Sequence, residues 1–294
     1  MRPDAPIDGR FRNVLIQGAS RGLGLELVRQ LTALPNPPAR VFATCRDPAA
    51  AADLRALEQQ QASSSSCALT VLPLDVTKPE TIQSAAARVR ASLPQGERLD
   101  LVFNASGVLH ERGAGIVPET SVGRVTADAL TRLFAINATG PLLVAQAFLP
   151  LMVMTIAPPR DGAGRAEAAA EPRPAVLAAL SARVGSIADN GLGGWYSYRA
   201  SKAALNQLYR TLSIEVGRRH SPGRQEGGGG VACVLLHPGT CDTALTKPFQ
   251  ANVPAEKLFT VERGARQLLG LVASAEAPRD NGAFVDWAGD RVPW

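Results

Sequence analysis

The chain has 294 residues, of which 46% are hydrophobic and 19% charged, and its formal net charge is +5. A chain of this length and composition can bury a full hydrophobic core, which excludes disorder as its main state. Its basic residues are scattered, so the charge suits an anionic ligand but does not indicate a nucleic-acid-binding protein.

Apolar runs alternate with segments of helical periodicity along the whole chain. We predict strands at residues 14–17, 41–45, 69–74, 101–104, 176–180, 231–236 and 282–287. We predict helices at residues 23–34, 53–61, 81–93, 126–155, 197–217 and 262–273. Continuous apolar strands that alternate with amphipathic helices are typical of a parallel sheet covered on both faces. The sequence therefore predicts a single α/β domain over residues 1–294, with a doubly wound parallel sheet of about seven strands and helices on both faces.

Two segments interrupt this order. Residues 158–174 are rich in proline, alanine and glycine, and residues 218–230 end in four consecutive glycines. Each segment lies between a helix and the next strand, so we predict two flexible surface loops.

The cysteines predict a protein of a reducing compartment, the cytoplasm. They are far apart and show neither a disulfide framework nor the spacing of metal ligands, so we expect no metal. The four are Cys45, Cys67, Cys233 and Cys241. Gln146 and Pro150 interrupt the apolar stretch 142–157, which predicts a buried helix and no membrane span. Residues 1–13 lack the apolar centre of a signal peptide.

A glycine-rich turn follows the first predicted strand and opens the first helix, with the spacing G-x-x-x-G-x-G. Gly18 permits the tight turn, Gly22 lets the backbone approach a pyrophosphate, and Gly24 allows close packing of helix and strand. The helix N-terminus supplies N–H groups and the positive end of the helix dipole. The turn therefore predicts a Rossmann-type phosphate site. Its residues are Gly18, Ser20, Arg21, Gly22, Leu23 and Gly24.

The end of the second predicted strand carries a cation where a dinucleotide fold usually has a carboxylate. Arg46 stands 22 residues after Gly24, and Arg21 adds a second guanidinium inside the glycine turn. Two guanidiniums suit a ribose 2′-phosphate, which they can bind through paired hydrogen bonds. This favours NADP over NAD, although Asp47 could still reach a ribose hydroxyl.

Tyr198 and Lys202 stand four residues apart in a predicted helix. This spacing places both side chains on one helix face. A cation beside a phenol lowers the pKa of the phenol, which makes Tyr198 a candidate proton donor or acceptor.

The chain resembles the short-chain dehydrogenase/reductase family over nearly its whole length. Segments beyond the glycine turn and the Tyr198–Lys202 pair also match the family. The matching residues are Asp75, Val76, Asn104, Ala105, Ser106, Asn137, Pro238, Gly239 and Thr240. The segments 185–187 and 194–199 are similar to the C-factor and Sniffer-type carbonyl reductase branch.

The resemblance implies an NADP(H)-dependent oxidoreductase that acts on a carbonyl or alcohol substrate. It implies that Tyr198 protonates the alkoxide, and that Lys202 binds the nicotinamide ribose and lowers the pKa of the tyrosine. It implies that Asn137 holds a water that links Lys202 to solvent. The matching segments after strands three, four and six would contact the adenine and the nicotinamide. The helices that carry Asn137 and Tyr198 would form the interface of a homodimer or homotetramer.

One departure concerns the serine that the family places three residues before a glycine at the end of the fifth strand. Ala182 stands at that place, before Gly185. We predict that Ser186 supplies the missing hydroxyl, with Ser181 as the alternative. The change at Ala182 also leaves open a protein that binds NADP(H) as a sensor with weak or no turnover. The candidate aromatic walls of a substrate pocket are Trp195, Tyr196, Phe249, Phe259 and Trp287.

Overall fold

The structure, a computed structural model, describes residues 1–63, 66–153, 173–219 and 230–294. The two predicted loops, 158–174 and 218–230, lie almost wholly outside the described residues.

Seven strands form one parallel sheet, as the sequence predicts. The strands within the described residues are β1 (Asn13–Gln17), β2 (Arg40–Cys45), β3 (Ala68–Pro73), β4 (Leu101–Asn104), β5 (Ala175–Leu180), β6 (Val231–His237), β7 (Thr240–Cys241), β8 (Leu258–Phe259) and β9 (Ala283–Asp286). The order in the main sheet is β3-β2-β1-β4-β5-β6-β9, and β7 pairs with β8 in a separate two-stranded sheet. The chain winds outward from β1 to β3 and then crosses back to β4. A crevice opens at such a switch point, beyond the carboxyl ends of the strands.

Helices cover both faces of this sheet. They are α1 (Gly22–Thr32), α2 (Ala52–Ala62), α3 (Pro79–Ser92), α4 (Ala127–Phe134), α5 (Gly140–Met152), α6 (Tyr196–Arg219) and α7 (Val261–Ala273). Strand β1 shows the two-sided burial, because all five of its residues are buried. Val14 and Ile16 join a core with α1, α2 and α7, whereas Leu15 joins a second core with α3, α5 and α6. Successive side chains of a strand point to opposite faces, so a run without polar residues requires helices on both sides.

The predicted helix 126–155 is interrupted in the structure. A π-helical turn, Ala135–Thr139, separates α4 from α5 and carries Asn137. Apolar periodicity does not reveal one inserted residue in a helix, which is why the sequence predicts a single continuous element. Such turns often occur at functional sites.

The same helical stretch, Ala127–Met152, has the length and hydropathy of a membrane span, with a mean hydropathy of 1.4. Half of its most apolar window is buried within the fold. Phe148 and Leu151 of α5 lie in the core beneath the sheet, as expected for a buried helix.

Candidate active site

A cavity of about 800 Å³ lies at the carboxyl ends of the strands, over the switch point. It extends from the glycine turn to α6, and most of the predicted site residues line it. These are Gly18, Ser20, Arg21, Gly22, Leu23, Gly24, Arg46, Asp75, Val76, Ala105, Ser106, Tyr198, Lys202, Pro238, Gly239 and Thr240. Three predicted residues do not line it, namely Asn104, Asn137 and Ser186.

The glycine turn has the geometry of a phosphate cradle. Gly18 has φ +85°, and a Cβ there would lie 2.8 Å from the backbone nitrogen of Ser106. A Cβ on Gly24 would collide with the carbonyl oxygen of Gly18. No side chain caps the N-terminus of α1, so its first N–H groups face the cavity without an intrahelical acceptor.

Charged side chains border the cavity at the ends of β2 and β3. Arg46 lines the cavity, but the Asp47 carboxylate accepts hydrogen bonds from the backbone nitrogens of Ala49, at 2.9 Å, and Ala50, at 3.2 Å. Asp47 is therefore used by its own turn, and it does not line the cavity. Burial alone would raise the pKa of Asp75, but hydrogen bonds from Thr77 and the charge of Arg46 hold that pKa below its usual value.

Tyr198 and Lys202 lie together on the cavity side of α6. Lys202 Nζ donates to the carbonyl oxygen of Leu180 at 2.8 Å and lies 5.9 Å from the centroid of the Tyr198 ring. Burial lowers the pKa of Lys202 to about 8. Burial also raises the pKa of Tyr198 above its usual value, which corrects the expectation of a lowered phenol pKa. The reason is that the ammonium group is directed to the end of β5, so desolvation of the phenol dominates.

Asn137 lies behind the cavity wall and connects two of the elements that form the site. Its Oδ1 accepts from the backbone nitrogen of Val108 at 2.8 Å, and its Nδ2 donates to the carbonyl oxygen of Val108 at 2.8 Å and to Ser201 Oγ at 3.0 Å. These bonds tie the loop after β4 to α6. A Cβ on Gly107 in that loop would lie 3.4 Å from Lys202 Nζ and 3.6 Å from Asn137 Oδ1, so little space separates the loop from both groups.

The predicted serine substitute is not at the cavity. Ser186 Oγ donates to the carbonyl oxygen of Trp294 at 3.3 Å and accepts from the backbone nitrogen of Asp189 at 3.0 Å. The 3₁₀ turn Arg183–Gly185 directs it away from Tyr198 and into its own loop, so the geometry argues against its predicted role. Ser181 does line the cavity, but its Oγ donates to Asn206 Oδ1 at 2.6 Å.

Asn104 is also withdrawn from the cavity. Its Nδ2 donates to Tyr209 Oη at 2.7 Å, and the side chain is buried. Within the described part of the chain, the buried Oδ1 of Asn104 and the buried Oγ of Ser106 have no hydrogen-bond partner. Ser106 lines the cavity beside Gly18.

Aromatic side chains form the wall beside Tyr198. The Trp195 ring lies 6.2 Å from the Tyr198 ring and 5.1 Å from the Phe249 ring, between centroids. Phe259 and Trp287 instead pack against each other under Gly239, and Tyr196 is 42% exposed. Two of the five candidate aromatic walls therefore line the cavity, namely Trp195 and Phe249.

Three further residues on the cavity wall are not among the predicted site residues. Glu111 and Arg132 form an ion pair at 2.8 Å on the cavity wall, although they lie in a loop and in α4 respectively. His237 lines the cavity, and burial lowers its pKa to about 4. Among the described residues, no cluster of His, Cys, Asp and Glu is arranged to hold a metal ion.

Residues 12–165 match the family described as short chain dehydrogenase. The chain belongs to the short-chain dehydrogenase/reductase family. The chain is 30% identical over 283 residues to the 1-hydroxy-2-glutathionyl-2-methyl-3-butene dehydrogenase of Rhodococcus sp., covering 96% of this chain and 99% of that one. It is 35% identical over 196 residues to the C-signal protein of Myxococcus xanthus, covering 67% and 93% of the two chains. As a member of this family the protein is an oxidoreductase.

Solved structures of short-chain dehydrogenase/reductases resemble the chain over nearly its whole length. An NADPH-bound carbonyl reductase from chicken fatty liver is 33% identical, with a TM-score of 0.75. The carbonyl reductase Sniffer of Drosophila melanogaster is 25% identical, with a TM-score of 0.76. Each comparison covers 96% of this chain and 99% of the other. These similarities place the chain in the C-factor and Sniffer-type branch of the short-chain dehydrogenase/reductases.

Proposed function

We propose that this short-chain dehydrogenase/reductase is an NADP(H)-dependent carbonyl reductase. The observation that carries the proposal is the position of Tyr198 and Lys202, which share one cavity with an uncapped glycine turn. Proton transfer and dinucleotide binding are thus available within one site.

The residues of the cavity fit NADP rather than NAD. Gly18 and Gly24 let the turn pack closely against Ser106 and against itself, so the uncapped N-terminus of α1 lies at the cavity, where its N–H groups would bind a pyrophosphate. Arg21 and Arg46 both line the cavity where a ribose 2′-phosphate would lie. The carboxylate that would favour NAD, Asp47, is held by its own turn. Reduced NADP, when bound, supplies the hydride for carbonyl reduction.

The chain's own groups handle the proton and hold the substrate. The Tyr198 hydroxyl donates its proton to the carbonyl oxygen as negative charge develops there, and a raised pKa keeps that hydroxyl protonated beforehand. Lys202, with a pKa of about 8, would hold the nicotinamide ribose and would return a proton to Tyr198. Asn137 keeps the loop after β4 against α6. The apolar wall of Trp195, Phe249 and Ala182 holds the substrate and excludes water.

Turnover of NADPH against aldehydes, ketones and quinones tests the proposal. We expect reduction of at least one class, and we expect Tyr198→Phe to lower kcat by about 10²-fold or more, because the proton donor is lost. NADPH affinity should be unchanged in Tyr198→Phe, which serves as the binding control. Full activity of Tyr198→Phe would contradict the mechanism. NADPH binding without turnover of any substrate would support the alternative of a sensor.

We also propose that the protein is a homodimer or homotetramer built on α5 and α6. The two helices lie side by side and leave apolar side chains partly exposed, among them Leu142, Leu143, Leu208 and Ile214. A two-fold interface would bury this face. A sedimentation mass that stays near 30.8 kDa at micromolar concentration would contradict this assembly.

We further propose a cytoplasmic location. All four cysteines are unpaired thiols, as is usual in a reducing compartment. Cell fractionation tests this location, and recovery of the protein outside the cytoplasmic fraction would refute it.

A further inference from the structure

Glu119 is a buried carboxylate outside the cavity wall. It lies in the loop between β4 and α4, and its side chain is 3% exposed. One oxygen accepts from the backbone nitrogen of Ser197 at 3.3 Å, and the other accepts from Ser197 Oγ. Ser197 lies in the first turn of α6, the helix that carries Tyr198. The carboxylate therefore caps the positive end of that helix, where a negative charge is favoured.

The backbone of Glu119 fixes the residue just before the helix. Its carbonyl oxygen accepts from the backbone nitrogen of Trp195 at 2.6 Å. Trp195 has φ +51°, after Gly193 at +65° and Gly194 at +67°. A tryptophan in the left-handed region persists only where its surroundings fix it, and such residues concentrate at functional sites. Glu119 supplies that restraint through both its carbonyl oxygen and its carboxylate.

The restraint acts on the cavity through the Trp195 ring. This ring stands between Tyr198 and Phe249 and lines the cavity. A rotation of the Trp195 backbone out of the left-handed region would swing the ring away from Tyr198. The width of the cavity beside the Tyr198 hydroxyl therefore depends on a residue that does not touch the cavity.

We propose that Glu119 is a positioning residue, which sets the substrate wall by holding Trp195 against Tyr198. The proposal rests on the carbonyl reductase function proposed above. We expect the hydrogen bonds between Glu119 and the start of α6 to determine how well the enzyme selects between bulky and small carbonyl substrates. A bulky aromatic ketone needs the wall in place to present its carbonyl to Tyr198, whereas a small aldehyde reaches Tyr198 without it.

The activity test compares Glu119→Ala with Glu119→Gln. Loss of the wall should lower kcat/KM for a bulky aromatic ketone by about tenfold or more in Glu119→Ala, since small misplacements have large effects on rate. The small aldehyde should change by less than about threefold, and Glu119→Gln, which keeps an acceptor for Ser197, should retain most of both activities. The matched control is Asp280→Asn. Asp280 is a carboxylate of similar burial that accepts from the backbone nitrogen of Glu276 at 3.0 Å, far from the cavity.

A double-mutant cycle with Trp195→Ala tests whether the effect of Glu119→Ala on activity acts through the Trp195 ring or through a general disturbance of the fold. When the ring is already absent, Glu119→Ala should add less than about a threefold loss on the bulky ketone, because coupled residues are not additive. Equal losses in both backgrounds, or equal losses on bulky and small substrates, would overturn the proposal.

Hydrogen–deuterium exchange provides a readout that does not depend on turnover. The Ser197 amide should exchange faster in Glu119→Ala, because it loses its carboxylate acceptor. The Trp195 amide keeps the backbone carbonyl of residue 119 as its acceptor, but it should also exchange faster, because that carbonyl is no longer held to α6 by the carboxylate. Both amides should exchange at the original rate in Asp280→Asn. Unchanged protection of these two amides in Glu119→Ala would overturn the proposal. A protein that reduces no carbonyl at all would instead refute the proposed function, and the exchange result would still decide whether Glu119 holds Trp195.

Discussion

Replacement of Lys202 by methionine should abolish reductase activity and stabilise the fold. Lys202 is 3% exposed, and burial lowers its pKa from 10.5 to about 8. At about 1.4 kcal/mol per pKa unit, holding the lysine in the folded state costs about 3 kcal/mol near pH 7. Methionine fills a similar volume without charge but leaves the carbonyl oxygen of Leu180 without its donor, which costs about 1 kcal/mol. The net expectation is a gain of about 2 kcal/mol in the free energy of unfolding.

The gain should depend on pH in a defined direction. Between the folded pKa of about 8 and the unfolded value of 10.5, the unfolded lysine binds more protons than the folded one, so the stability contributed by this group rises with pH. The advantage of Lys202→Met should therefore be largest at and below pH 8 and nearly gone by about pH 10.

Denaturant unfolding of the original protein and of Lys202→Met, without cofactor at pH 7 and pH 10, measures the difference in their free energies of unfolding. The contributions of other titratable groups cancel in this difference, because both proteins contain them. The surface variant Lys257→Met controls for the change of residue type, and it should shift stability by less than about 0.5 kcal/mol. A Lys202→Met protein that is less stable than the original at pH 7, or whose advantage grows with pH, would refute the reasoning.

Three further predictions concern Asn137, the choice of cofactor and Ser186. Asn137→Ala should lower the free energy of unfolding by about 2 kcal/mol, because it leaves both backbone groups of Val108 unpaired; thermal unfolding beside the exposed control Asn36→Ala measures this, and equal effects would contradict it. Arg46→Asp should reduce the preference for NADPH over NADH by about tenfold or more in titrations of both cofactors, since a carboxylate repels the 2′-phosphate; an unchanged ratio would refute the role of Arg46. Ser186→Ala should leave kcat within about threefold in steady-state assays, because its hydroxyl serves the loop; a large loss would restore the original prediction for this serine.

The sequence predicts the sheet well because strand position is a matter of local pattern. The predicted strand 101–104 coincides with β4, and the other six main-sheet strands differ by one residue at one end or at both ends. The sequence also predicts the glycine turn, because the spacing of its glycines indicates positions where the backbone leaves no room for a side chain. The sequence does not predict the π-helical turn that carries Asn137, because one inserted residue leaves the apolar pattern of a helix almost unchanged.

Side-chain partners are less predictable than backbone elements. Ser186 and Tyr198 are twelve residues apart, yet the 3₁₀ turn between β5 and α6 directs Ser186 toward Trp294. Glu119 reaches Ser197 across 78 residues, and no local pattern connects the two. Contacts of this kind depend on how loops meet in the tertiary structure, which the spacing of residues does not encode.

Ala182 gives the sharpest test of what the missing serine does. It lines the cavity, is packed in the same cluster as Tyr198, and has an extended backbone that a serine adopts without strain. Because Ser181 and Ser186 are bonded elsewhere, neither supplies a hydroxyl at this point of the wall. A hydroxyl there would give the carbonyl oxygen a second hydrogen-bond donor beside Tyr198. In sites built around such a donor it is worth about 10²-fold or more in kcat. We therefore expect Ala182→Ser to raise kcat by about tenfold, with unchanged NADPH affinity, while the exposed control Ala188→Ser changes neither. A kcat for Ala182→Ser that does not rise on any substrate would show that this wall works through apolar contact and Tyr198 alone.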